Sequence, residues 1–310
     1  MTERDEILPS WRPGATRDAV VAFLDRTASV APEDRVACFD NDGTLWCERP
    51  TYAQLDFFVD ALKTRVHDDP EIGSTPEFAA LLGGDASAIG ELGLERIGMA
   101  LVGLFEGMTP EAFADRARQF MGRAGHATLG RPLRTTVYQP MLELLEELRR
   151  RDFAISIVTG GGTEFVRAIS TRLYGVAPEA VVGTRIKYAF DSDDDRPVLR
   201  RTGAIEGDPN EGATKVTNIQ TQLGRRPILA AGNSGGDREM LAWACSSDGP
   251  GLALLVDHDD PAREFTYVST AQTFTETEPI TDVGHRLGWT VVSMAADWDT
   301  VFVPDGRDPS

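Results

Sequence analysis

The chain has 310 residues, with 49 acidic against 31 basic side chains and a formal charge of −18. Nucleic-acid and anionic-membrane binding both rest on basic side chains that neutralise phosphate, so this balance argues against both partners and turns the expectation toward a small ligand. No apolar run approaches the roughly 18 residues of a membrane span, and the first eleven residues carry mixed charge without an apolar stretch, which places the expected protein in the cytoplasm.

Length alone predicts one large domain, or a core with an insertion. A helical pattern over 16–28 precedes the apolar run Val36-Ala37-Cys38-Phe39, which reads as a buried strand and exits into Asp40-Asn41-Asp42-Gly43-Thr44. A strand delivers the residues after it to the carboxyl edge of the sheet, where open α/β sheets bind ligands. Two carboxylates at that exit can hold a divalent cation and attack phosphorus, with Asp40 as nucleophile and Asp42 as acid/base. The run 47–130 lacks strand alternation and predicts helices over 52–66, 76–82, 88–105 and 110–121, with glycines scattered between. Its place between the nucleophile strand and the next core strand marks it as a helical cap, leaving 1–46 and 131–310 as the core.

The core resumes with a helix over 138–151, whose apolar stripe is Met141, Leu142, Leu144, Leu145 and Leu148. A second buried strand, 153–158, ends in Thr159-Gly160-Gly161-Gly162 ahead of a helix over 163–173. A hydroxyl, bare glycine amides and a helix N-terminus together make an anion cradle. The segment 181–201 predicts two short strands around the acidic run 191–195, a solvated hairpin tip that lacks the glycine and glutamate a calcium loop needs. Lys215, one of three lysines, opens a helix over 214–223. A strand at 227–231 exits into Gly232-Asn233-Ser234-Gly235-Gly236-Asp237 and a helix over 238–244, offering a second pair of oxygen ligands. After a further strand at 252–256, the tail 288–303 keeps Trp289, Trp298 and Phe302 and is expected to pack on the core. Cys38, Cys47 and Cys245 are scattered without CxxC spacing, which argues against a disulfide framework and a zinc site.

In this order, DNDGT, the threonine of VTGGG, the lysine of ATKV and GNSGGD resemble the four motifs of the haloacid dehalogenase-like superfamily, with spacing nearest its phosphoserine phosphatase-like branch. The resemblance spans roughly 35 to 257. It implies a Rossmann-like α/β fold, a parallel sheet core with an inserted helical cap. It also implies Mg²⁺-dependent hydrolysis of a small phosphomonoester through an aspartyl-phosphate. Asp40 and Asp42 would be catalytic, and Thr159, Gly160 and Lys215 would bind phosphate. Asp40, Asp42, Asn233 and Asp237 would hold the metal.

Two departures accompany the match. Relatives carry Asp where this chain has Asn233, so one negative charge toward the cation is lost. Phosphoserine phosphatases hold the substrate ammonium with a Glu nine residues after the nucleophile; that position is Arg49, with Glu48 just before it. Arg49 facing the substrate would suit a carboxylate or second phosphate and disfavour phosphoserine, whereas a shift by one residue would turn Glu48 inward instead. Other readings stay open: a phosphotransferase or mutase with the same aspartates, and a serine hydrolase using Gly232-Asn233-Ser234-Gly235-Gly236 with Asp257 and His285. The only lysine in the cap stretch is Lys63, which weakens a phosphonate-cleaving reading.

Overall fold

Val36–Phe39 forms strand β1, and all four residues are buried, as expected for a continuous apolar run in a sheet covered on both faces. The computed structural model describes residues 7–304 apart from 194–195. The charged start over 1–6 and the centre of the acidic hairpin tip therefore lie outside the described residues. The other strands are β2 (Ala154–Gly162), β3 (Val181–Asp193), β4 (Arg196–Glu206), β5 (Leu229–Gly232), β6 (Leu252–Asp259), β7 (Thr266–Tyr267) and β8 (Thr290–Ser293). They make one sheet in the order β4-β3-β2-β1-β5-β6-β7, with β8 also on β6. From β3 through β6 to β8 the pairing is parallel, whereas β4 and β7 run antiparallel.

The chain fills the sheet from β1 outward to β3, then returns to the other side of β1 with β5. Adjoining connections thus leave in opposite directions on either side of β1 and open a crevice at its carboxyl end. In register, Phe39 faces Ile157 of β2 and Ala231 of β5, so the segments after these three strands converge on that crevice.

Twelve helices occur among the described residues: α1 (Ala15–Arg26), α2 (Ala53–Asp68), α3 (Pro76–Gly83), α4 (Ala86–Leu92), α5 (Leu94–Gly103), α6 (Pro110–Arg123), α7 (Gln139–Arg150), α8 (Thr163–Tyr174), α9 (Ala213–Leu223), α10 (Arg238–Ala244), α11 (Ile280–Leu287) and α12 (Met294–Asp297). The segment between β1 and β2 contains α2 to α7, and its first five helices fill the stretch expected to be a cap. The single helix expected over 88–105 is two, because Gly93 adopts φ 82 and ψ 144 and ends α4. Phe57 of α2 stacks on Phe105 at 5.2 Å and on Phe165 of α8 at 5.4 Å, so the insert and the core share aromatic packing.

Two other expectations need correction. The strand expected over 153–158 runs on to Gly162 through an irregularity after Val158. The two short strands are a long hairpin, because the outer edge of β4 has a partner in the insert. Gly107 N donates to the Arg201 carbonyl at 2.9 Å and Arg201 N to the Met108 carbonyl at 2.8 Å. Below that edge the Arg201 guanidinium lies 3.9 Å from the centre of the Phe113 ring and 3.1 Å from Glu164. The tail packs as expected: Trp298 is fully buried edge-on to Trp11, and Phe302 stacks on Tyr138.

Candidate active site

The turn after β1 is specified by Gly43. Its φ of 74 suits glycine, and a Cβ there would lie 1.9 Å from Asn233 Nδ2, so the loops after β1 and β5 touch only because no side chain intervenes. The Gly43 carbonyl is met by His258 Nε2 at 2.9 Å. Behind it, His258 Nδ1 lies 3.2 Å from Glu264 Oε2, and Tyr138 donates to Glu264 Oε1 at 2.9 Å. This buried polar chain braces the nucleophile loop from the β6 side.

Asp40 and Lys215 meet at the carboxyl end of β1. Lys215 Nζ lies 2.6 Å from Asp40 Oδ1, 2.6 Å from Asp237 Oδ1 and 2.9 Å from the Val158 carbonyl, which uses all three ammonium protons. Burial alone would lower the lysine pKa, but the Asp237 and Asp40 carboxylates outweigh it and hold the ammonium above its ordinary range. Asp40 is shifted up, by burial first and by Asp237 second, with Lys215 pulling the other way. Asp42 is also raised by burial, offset in part by hydrogen bonds from Trp46 Nε1 at 2.9 Å and Asn41 Nδ2 at 3.2 Å. Asn41 is in turn fixed by the Tyr174 hydroxyl of α8 at 3.0 Å.

A cavity of about 310 Å³ lies in front of these groups, lined by Asp40, Asp42, Gly160, Lys215, Asn233 and Glu48 among others. Thr159, expected to touch phosphate, is fully buried and lies outside that lining. Its Oγ1 accepts from Gly161 N at 2.9 Å, leaving the hydroxyl proton free to donate in front of Gly161. A Cβ on Gly161 would sit 2.9 Å from Gln54 Oε1, 3.2 Å from Thr159 Oγ1 and 3.8 Å from Asp42 Oδ2, so only a bare glycine lets these three side chains approach the backbone there.

Asp40 Oδ2 and Asn233 Oδ1 converge on one hydroxyl, Thr44 Oγ1, at 3.5 and 3.4 Å. Two buried hard oxygens sharing one long contact fit Mg²⁺, and the main-chain carbonyl of Asp42 extends the expected set. Asp237, expected as a ligand, also accepts several hydrogen bonds. Its Oδ1 takes Lys215 and its Oδ2 takes the amides of Asn233 and Ser234 at 3.0 and 3.1 Å. It therefore anchors the lysine and the loop. No group of three or more His, Cys, Asp or Glu side chains suited to a metal occurs among the described residues.

Of the two neighbours expected at the substrate, the structure brings Glu48 to the cavity and not Arg49. Glu48 Oε1 accepts from Asn233 Nδ2 at 3.1 Å and is reached by Ser269 Oγ at 3.3 Å. Arg49 turns away and lies over the Tyr267 ring at 4.2 Å, where cation–π attraction holds it. The serine triad is not assembled: Ser234 Oγ bonds to Asp237 in a capping box, and His285 is exposed on α11. Sequence reasoning missed Gln54, which accepts Gly162 N at 2.8 Å, and Gln272 and Thr273, whose amides donate to Glu211 at the cavity wall. These residues come from an aperiodic loop and a helix face, which give no motif signal.

No curated protein matches the sequence. Among solved structures, a protein of unknown function from Bordetella pertussis Tohama I matches at 19% identity over 83% of this chain and 97% of that one, with a TM-score of 0.52. A probable phosphoserine phosphatase from Vibrio cholerae matches at 15% identity, 84% of this chain, 65% of that one and a TM-score of 0.41. Cytosolic 5'-nucleotidase IIIB bound to cytidine matches at 14%, 93%, 96% and 0.43. No helix among the described residues is long and apolar enough to cross a membrane. The family model of haloacid dehalogenase-like hydrolases matches residues 37–242, more than half of the sequence and running from within β1 to within α10, so the chain belongs to the haloacid dehalogenase-like hydrolase family.

Proposed function

We propose that the protein is a Mg²⁺-dependent phosphatase of the phosphoserine phosphatase-like branch, acting in the cytoplasm on a small phosphomonoester through an aspartyl-phosphate. The observation that carries this reading is the pair Asp40 and Asp42 on one cavity wall, the first ion-paired to Lys215 at 2.6 Å and the second held by neutral donors. Two carboxylates in different electrostatic settings can take different roles.

An Asp40 oxygen forms a bond to phosphorus as the bond from phosphorus to the leaving oxygen breaks, and Asp42 donates its proton to that oxygen. Water then attacks the phosphorus of the aspartyl-phosphate, Asp42 takes the water proton, and inorganic phosphate leaves with the Asp40 carboxylate restored. Burial raises Asp42, which favours the protonated form needed in the first step. The Gly160 amide and the Thr159 hydroxyl orient phosphoryl oxygens, while Lys215 offsets charge near the nucleophile. Mg²⁺, held by Asp40, the Asp42 carbonyl and Asn233, would neutralise phosphoryl charge. Asp42 itself favours phosphorus over carbon–halogen chemistry, which needs no such acid.

The test is turnover of a phosphomonoester panel with Mg²⁺. Asp40→Asn and Asp42→Asn should each lower kcat by about a thousandfold or more with the fold retained. Ser234→Ala should keep most of the rate. Near-wild-type activity in either aspartate variant contradicts the assignment, and loss of turnover confined to Ser234→Ala would hand the reaction to the serine.

A further inference from the structure

The insert contributes an apolar wall to the cavity: Leu55 and Phe58 from α2, and Gly98 and Leu101 from α5. The polar side chains Tyr52 and Gln54 that this segment adds are neutral. Tyr52 accepts from Gln272 at 2.8 Å, and Gln54 holds the Gly162 amide. Elsewhere the wall is acidic, through Glu48 and Glu211 beside the two catalytic aspartates. Lys215 is the one cationic side chain among the described residues of the lining, and its protons are already directed at Asp40, Asp237 and the Val158 carbonyl. Arg49, a second cation near the loop, lies on Tyr267 outside the lining.

A second phosphate or a carboxylate on the leaving group would therefore meet carbon on one side and, on the other, carboxylates interspersed with the neutral side chains of Ser234, Thr270, Gln272 and Thr273. Its lost hydration would not be repaid by a cation of the described lining. Carbon would gain from the same wall, because apolar surface leaves water there.

We propose that the substrate is the phosphomonoester of an alcohol with an apolar body and no further anionic group, and that Phe58, Gly98 and Leu101 set the size of that body. This rests on the phosphatase reading above. Gly98 is the informative position. It lies within the helix α5, and a Cβ there would meet no atom within 4 Å, so the missing side chain leaves open space beside the wall. A larger residue at 98 would extend into that space without straining the backbone.

The experiment compares kcat/KM, with Mg²⁺ present, for butyl phosphate, benzyl phosphate, phosphoglycolate and a butanediol bisphosphate, all esters of primary alcohols. The butyl and benzyl esters should exceed the two anionic ones by about tenfold or more. Gly98→Leu should cut the ratio of kcat/KM for benzyl phosphate to that for methyl phosphate by about tenfold, through KM, and Gly98→Ala by less. A lead for phosphoglycolate or the bisphosphate would overturn the inference and leave the phosphatase reading intact. An unchanged ratio in a folded Gly98→Leu would overturn the role of this wall. If the esters were hydrolysed and Asp40→Asn did so at the wild-type rate, the phosphatase reading would fall and this inference with it.

Discussion

Lys215 Nζ and Asp237 Oδ1 lie 2.6 Å apart at a point where Asp237 is fully buried and Lys215 is 2 % exposed. The pair belongs to a three-membered arrangement, since the same ammonium holds Asp40. Removing the cation strands two carboxylates, whereas neutralising Asp237 strands none.

Lys215→Met should therefore destabilise more than Asp237→Asn. Breaking a buried pair by removing one partner costs about 3–5 kcal/mol, and the lysine variant should reach that range. Asp237→Asn should fall below it and lower kcat by about tenfold to a hundredfold, because Lys215 then draws on Asp40 alone. Urea unfolding of both variants, read with the same slope, checks the order. The reverse order would mean that the lysine is not the element that makes this buried charge tolerable.

Asn233 has a second role that its place in the metal motif does not announce. Its Oδ1 lies beside Asp40 Oδ2 across Thr44, while its Nδ2 donates to Glu48. Asn233→Asp should lower the Mg²⁺ concentration giving half-maximal activity by about tenfold, because a carboxylate binds the hard cation better than an amide. Without metal the same variant should lower Tm, since it sets a carboxylate against Glu48, and Glu48→Gln should restore the loss. Chelation should abolish wild-type turnover, and added Mg²⁺ should restore it. Activity indifferent to chelator would remove the cation from the mechanism.

His126 links acidity to the segment that carries Glu48. Its Nδ1 accepts the amides of Thr128 and Leu129 at 3.3 and 3.1 Å, and its Nε2 meets the Arg49 carbonyl at 2.6 Å, an arrangement made for the neutral ring. Burial lowers its pKa, partly offset by the Arg49 contact. A depressed pKa gives stability that is present above the unfolded value of about 6.5 and is lost as pH falls through the folded one. Between about pH 7 and pH 5 the Tm of the wild type should fall more steeply than that of His126→Asn. Parallel slopes would show that the ring takes up its proton at the same pH in the folded and unfolded states.

Much of this is legible in the sequence because strand exits are local. Asp40, Gly160 and Asn233 each come after an apolar run, and parallel pairing then sets those runs side by side. Lys215 stands out by its rarity and its place at a helix start. The illegible part depends on side-chain direction in aperiodic chain. Whether Glu48 or Arg49 faces the site is decided by the Tyr267 ring some two hundred residues later, and alternation carries no information in such a loop. Asp237 reads as a ligand from its motif position, and nothing in the motif shows that it also holds Lys215 and two neighbouring amides. The length of the β3–β4 hairpin is hidden because its edge partner, the 107–108 segment, lies in the insert.

The Phe57 ring touches Phe58, Phe105, Phe113 and Phe120 within the insert and Phe165 on the core. Swinging the insert away as a rigid shutter would tear the Phe57–Phe165 stack, worth about 0.5–1.5 kcal/mol beyond its area, and wet the apolar surface beneath it. The roof over 270–273 is pinned instead by exchangeable hydrogen bonds, from Gln272 and Thr273 to Glu211 and from Gln272 to Tyr52. Water can replace those bonds one at a time but cannot replace the stack. Loosening the 270–273 loop therefore costs bonds that water can remake, whereas lifting the insert costs aromatic contact that water cannot supply.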